Sequence, residues 1–132
     1  MNHTVLCIDD DPDDLQMLRE ALSTVDPKYT VVEASDGVEG MAQLEKMKQS
    51  EALPCLVVLD INMPKMDGRE TFLSIRSDKE LTDIPVVVFS TSNSMMDKMF
   101  FERKNVAYFT KPINFHELVE VASEMLRYCH HN

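Results

Sequence analysis

The sequence predicts a doubly wound α/β fold built on a parallel five-stranded sheet, and three observations carry that prediction. Five strand-sized apolar runs punctuate the 132 residues, and segments with helical spacing separate them. The runs VLCI, CLVVL and VVVF are apolar almost without interruption, which suits strands covered on both faces. Regular alternation of strand and helix then calls for parallel strands joined by helical crossovers.

The elements follow in order. The first run, Thr4 to Ile8, ends in three aspartates, and Pro12 behind Asp11 marks the first turn of a helix continued by Leu15, Leu18, Leu22 and Val25. After the second run, Thr30 to Ala34, Asp36 with Glu39 forms a cap for a helix carrying Val38, Met41, Leu44 and Met47. The third run, Cys55 to Leu59, is followed by a helix opened by Asp67 with Glu70, and the fourth is Val86 to Phe89. In the next helix Met95, Met96, Met99 and Phe100 share one stripe at about 100° per residue and are expected to face the sheet. Phe101 lies nearly opposite and is expected on an exposed partner surface. The fifth run, Val106 to Phe109, leads to Asn114 with Glu117, the cap of a last helix bearing Phe115, Leu118, Val119, Ala122, Met125 and Leu126. His116 falls on the solvent side of its first turn.

Composition narrows the function. Thirteen Lys and Arg against twenty-three Asp and Glu leave a formal charge of −10, which opposes a phosphate-backbone footprint, so direct nucleic-acid binding is not expected. No apolar run approaches the roughly 20 residues of a membrane span, and no signal segment opens the chain, so one cytoplasmic domain over 1–132 is expected, without an output domain. Cys7, Cys55 and Cys129 are odd in number and widely spaced, which indicates neither a disulfide framework nor a zinc knuckle. Cys7 and Cys55 read as small buried apolar residues, and Cys129, His130 and His131 as an incidental terminal group.

In an open parallel sheet, ligands bind beyond the carboxyl ends of the strands. The first run ends in Asp9, Asp10 and Asp11, the third in Asp60, the fourth in Ser90 and Thr91, and the fifth is followed by Thr110, Lys111 and Pro112. Carboxylates gathered on one edge repel, so they need a counter-charge or shifted pKa values. Oxygen-only donors without nearby His or Cys favour Mg²⁺. A carboxylate beside that cation and an ammonium can attack phosphorus, giving an aspartyl phosphate. A single strand-end Asp could be no more than a helix cap, as Asp11 is in part; Asp9, Asp10, Asp60 and Lys111 together exceed that role.

CIDDDP, LVVLDINMPKMDG, VVVFSTS and YFTKP resemble the four signatures of the bacterial two-component response-regulator receiver domain, over essentially the whole chain. The resemblance implies the flavodoxin-like strand order 2-1-3-4-5. It implies that Asp60 accepts a phosphoryl group and that Asp10 binds Mg²⁺ directly, with Asp9 helping through water and the main-chain carbonyl of Asn62 completing the ligands. It implies that Lys111 pairs with the phosphoryl oxygens, that Ser90 and Tyr108 are the switch pair, and that a cis bond precedes Pro112. The partners implied are a sensor histidine kinase or phosphotransfer protein and an unidentified downstream protein. The family's fourth helix, fifth strand and fifth helix supply the face for docking or for pairing with a second copy. The run IRSDKELTDIPVVVFSTS and the DGRE at 67–70 are similar to small stand-alone receivers paired with bacteriophytochrome-type kinases.

Departures are mild. Thr91 stands where many members carry Ala or Gly, and its bulk beside the phosphoryl group is expected to slow self-dephosphorylation. Asn62 and Ser92 offer no obvious general base for that reaction. A phosphatase of the haloacid-dehalogenase type also uses a strand-end Asp and Mg²⁺, but it places a second Asp where this chain has Asn62. A flavin site would need a hydroxyl- and glycine-rich phosphate loop after the first strand, where this chain has aspartates. A scaffold that is no longer phosphorylated would have no need of the full acidic set. The expected role is a signalling domain whose only chemistry is its own phosphorylation and dephosphorylation.

Overall fold

Each strand core sends alternate side chains to opposite faces, and both faces are covered. The computed structural model describes residues 3–130. Its strands are β1 (Thr4–Ile8), β2 (Thr30–Ala34), β3 (Leu56–Leu59), β4 (Val86–Ser90) and β5 (Ala107–Thr110), and its helices are α1 (Pro12–Val25), α2 (Gly37–Gln49), α3 (Gly68–Ser77), α4 (Met95–Arg103) and α5 (Phe115–Leu126). A 3₁₀ turn, Arg127–His130, continues α5. The sheet order is β2-β1-β3-β4-β5 with every pair parallel, in the predicted order. Val5 lies beside Leu56 and Val58 beside Val87, so the central strands are in step.

Leu6, Ile8, Val57, Leu59, Val86 and Val88 face one core with Leu44, Phe72, Ile75 and Phe101 of α2, α3 and α4. Val5, Cys7, Leu56, Val58, Val87 and Phe89 face the other, with Leu15, Leu18 and Leu22 of α1 and Leu118, Ala122 and Met125 of α5. This two-sided burial is why the strands read as unbroken apolar runs. The four predicted caps form: Asp11 accepts from the Asp13 and Asp14 amides at 2.9 and 3.3 Å, Asp36 from Glu39 at 2.8 Å, Asp67 from Glu70 at 3.0 Å and Asn114 from Glu117 at 2.8 Å. Losing one such cap costs about 1 kcal/mol. Gly68 is the residue that fits where α3 begins, because a Cβ there would press on the Asp60 carbonyl oxygen and lie 2.7 Å from the Ile61 Cα.

Three sequence expectations are corrected. The face of α4 is inverted: Met95, Met96 and Met99 are 70%, 73% and 43% exposed, whereas Phe101 is fully buried. Phe101 meets Phe72 edge-on at 5.6 Å, and Asp97, one turn earlier on the same face, is held by Arg69 and Ser92, so a polar anchor turns the methionines outward. Replacing Phe101 by Ala would cost about 3–5 kcal/mol. Cys55 lies just before β3 and is joined by a disulfide to Cys129, with Cα atoms 4.8 Å apart, because the turn after α5 folds back beneath the start of β3. Cys7 alone is the free, buried cysteine among the described residues. Finally, no cis peptide bond occurs among the described residues, and Lys111 reaches the strand-end carboxylates through a trans bond before Pro112. His116 is exposed beside Glu120 at 3.2 Å, as expected. His131 lies outside the described residues.

Candidate functional site

The chain order places β1 between β2 and β3, so the connections leaving β1 and β3 part to opposite faces and open a crevice at their carboxyl ends. Residues following both strands line it. The Asp9 amide donates to the Ala34 carbonyl at 3.0 Å, and the Asp60 amide donates to the Ile8 carbonyl at 3.0 Å, so the ladder itself fixes both positions. Asp9 and Asp60 are buried, and Asp10 is exposed at the rim. One carboxylate oxygen from each of these three lies within 4.8 Å of the others.

Lys111 enters from the end of β5, its amide bonded to the Ser90 carbonyl at 3.0 Å. Its Nζ donates to Asp9 Oδ2 at 2.7 Å, to Asp14 Oδ2 at 2.8 Å and to Asp60 Oδ2 at 3.4 Å. Asp60 Oδ1 accepts from the Ile61 amide at 2.8 Å, which orients the carboxylate and leaves Oδ2 toward the ammonium. Burial pushes the Asp9 carboxyl up to about 6, against the hydrogen bonds from Lys111 and the Asp11 amide, with the Asp60 charge adding to the rise. For Lys111, burial works to lower the pKa, but the bonds to Asp14 and Asp9 and the charge of Asp60 prevail and raise it. Lys111 therefore stays charged.

Three carboxylates thus share one ammonium, with Asp10 a fourth at the rim, and the set remains short of positive charge. Asp9, Asp10 and Asp60 offer oxygen donors only, the donor chemistry of a hard divalent cation. The residues present fit such a cation.

A second polar group lies beside the first. Ser90 is fully buried, and its Oγ accepts from the Ser92 amide at 3.2 Å. The half-buried Tyr108 donates its hydroxyl to the Ser92 carbonyl at 2.8 Å, and burial raises its pKa. Ser92 Oγ donates to Asp97 Oδ2 at 3.1 Å, and Arg69 Nε donates to Asp97 Oδ1 at 3.0 Å. The Arg69 guanidinium also stacks 5.2 Å from the Phe100 ring centre. Asn62 and Thr91 are exposed, the latter directly after Ser90.

The structure therefore brings Asp9, Asp10, Asp60 and Lys111 together, and Ser90 and Tyr108 both hydrogen-bond to the Ser92 backbone. Sequence reasoning missed Asp14, Arg69 and Asp97. Asp14 is the third residue of α1, and a first-turn aspartate pointing back to the strand end was the available signal.

The response regulator receiver domain family model matches residues 5–123. Response regulator Rcp1 of Synechocystis sp. is 32% identical over 120 residues, covering 89% of this chain and 82% of its own length. The phosphorylated cyanobacterial phytochrome response regulator RcpA superposes with a TM-score of 0.86 at 33% identity, covering 97% of this chain and 94% of its own. The Mn²⁺-bound form of Rcp1 gives 0.80 at 31% identity, covering 94% and 91%. With the same fold and a match across nearly the whole chain, this protein belongs to the response regulator receiver domain family of two-component signal transduction.

Proposed function

We propose that this domain is a phosphorylation-driven switch in which Asp60 takes a phosphoryl group from the phosphohistidine of a sensor kinase or phosphotransfer protein. The observation that carries the reading is the Asp60 carboxylate beside the Lys111 ammonium at 3.4 Å, within a set of carboxylates that outnumber their one ammonium. An Asp60 oxygen would form the new bond to phosphorus while the bond from phosphorus to the histidine nitrogen breaks, and the imidazole leaves. Mg²⁺, held by Asp10 and Asp60 with Asp9 through water and the Asn62 carbonyl, would supply charge neutralisation on the transferring group. Lys111 leaves part of its carboxylate pairing to meet the phosphoryl oxygens. The Ser90 hydroxyl turns from the Ser92 amide toward the phosphoryl group, and Tyr108 gives up the Ser92 carbonyl and moves inward. Such a switch needs two arrangements separated by a few kcal/mol and a ligand that favours one of them.

Likeness to the phytochrome response regulator RcpA supports a phytochrome-type kinase as the donor. The exposed methionines of α4, with β5 and α5, supply the surface whose partner affinity changes, including affinity for a second copy. The test is intact mass after incubation with Mg²⁺ and acetyl phosphate, beside Asp60→Asn and a metal-free control. One added phosphoryl group, absent from both controls, is the expected result; no addition, with acetyl phosphate or with a kinase donor, would favour a scaffold.

A further inference from the structure

We propose that Cys55 and Cys129 form a reversible thiol–disulfide exchange site that pins or releases the turn after α5. The proposal is independent of phosphorylation at Asp60. Cys55 directly precedes β3 and Asp60 directly follows it, so the cysteine pair and the acidic cluster lie at opposite ends of one strand. The two cysteines are 74 residues apart in sequence, and only the folded chain brings their Cα atoms to 4.8 Å, inside the range a disulfide spans.

The bond is not needed to hold the sheet. The Cys55 amide donates to the Thr4 carbonyl at 2.9 Å, and Leu56 pairs beside Val5, so the start of β3 is fixed by the ladder. Most of both cores is built from other side chains. The Arg127–His130 turn depends on it more. Among the described contacts of that turn, Cys129 packs into the core shared by α1 and α5, and Tyr128 meets Phe109 edge-on at 6.4 Å. Tyr128 and Arg127 also wall a groove of about 490 Å³ against Tyr108 and Phe109 of β5. A covalent tie at Cys129 fixes that wall; two free thiols leave it held by packing and by its own 3₁₀ hydrogen bonds.

Access differs between the cysteines. Cys55 is half-buried at the rim, while Cys129 is 8% exposed, so an incoming small disulfide meets Cys55 first. With glutathione disulfide as oxidant, the Cys55 thiolate attacks one sulfur, forming a mixed disulfide and releasing one glutathione thiolate. The Cys129 thiolate then attacks the Cys55 sulfur and releases the second. Two protons and two electrons pass from the cysteines to the oxidant, giving two glutathione thiols; a reducing thiol runs the sequence backward. Cys7 takes no part, since burial, with the charge of Glu33, pushes its thiol far up.

The test uses the full chain equilibrated with glutathione disulfide or with a reducing thiol, then unfolded and alkylated. The expected oxidised product is lighter by two hydrogens and takes one alkyl group, at Cys7, while the reduced protein takes three. Hydrogen exchange at the Arg127–His130 amides should be slower in the oxidised form, and its Tm higher by at least about 5 °C. Cys129→Ser should stay folded, exchange like the reduced protein and stop at the mixed disulfide on Cys55. Three alkyl groups after oxidation, a persistent mixed disulfide in the natural sequence, or identical exchange of the turn in both forms would each overturn the proposal.

Discussion

Two polar clusters lie side by side at the carboxyl ends of the strands, and their charge is balanced differently. In the first, Lys111 is shared by Asp9, Asp14 and Asp60, with Asp10 at the rim. In the second, Asp97 is matched by Arg69 and Ser92, and its neighbours Ser90, Ser92 and Tyr108 are linked by neutral hydrogen bonds. Excess negative charge makes the first cluster responsive to cations and protons. Near balance makes the second a restraint, joining α3 and α4 to the segment that carries Ser90. On the proposed function, the site for chemistry stays incompletely satisfied, whereas the device that would transmit its state is satisfied in one arrangement and must find partners in another.

The comparison breaks if the clusters answer alike, and the largest difference should come from the lysine. Lys111→Met leaves buried carboxylates without their ammonium and should lower stability by about 3–5 kcal/mol in chelator, measured by urea unfolding. Excess Mg²⁺ should restore part of that loss, because a bound cation replaces the missing charge.

Acidity should separate the clusters next. Asp9 titrates at about 6 in the fold, above its unfolded value, so the native state binds the extra proton. The resulting penalty is fully present above pH 6 and is relieved as pH falls from about 6 to 4. In chelator, this residue should contribute roughly 2–3 kcal/mol more stability at pH 4 than at pH 7. Asp9→Asn should flatten that part of the profile. Metal affinity should run the other way, falling below about pH 6 as protons compete for the carboxylate.

Smaller effects belong to the second cluster. Asp97→Asn keeps a hydrogen-bonding oxygen for Arg69 and should cost about 1 kcal/mol, with no dependence on Mg²⁺. Thr91→Ala should leave stability within about 0.5 kcal/mol and shorten the lifetime of the phosphorylated protein. An unchanged half-life, followed by mass spectrometry, would remove Thr91 from the account.

The first cluster was legible in the sequence because its members follow strands, and strand ends in a parallel sheet meet at one edge whatever the loops do. The second was only half legible. Ser90 and Tyr108 lie in or at the end of strands, but Arg69 and Asp97 sit on helices whose rotation depends on what each face can satisfy. In α4 both faces are apolar enough to pass for the core side, and the buried pairing of Asp97 with Arg69 decided between them, a contact no single helix encodes. In α5 the choice was not contested: Leu118, Ala122, Met125 and Leu126 are buried as their spacing requires. The pairing of Cys55 with Cys129 was out of reach for a related reason, since it depends on where the chain goes after α5 ends.

The central claim is that Asp60, among several neighbouring carboxylates, is the one that carries phosphate. Borohydride reduces an aspartyl phosphate to homoserine, so treating the phosphorylated protein and sequencing its peptides by mass spectrometry locates the acceptor directly. Homoserine is expected at position 60 and at no other aspartate. Homoserine at Asp9, Asp10 or Asp14, with position 60 unchanged, would contradict it.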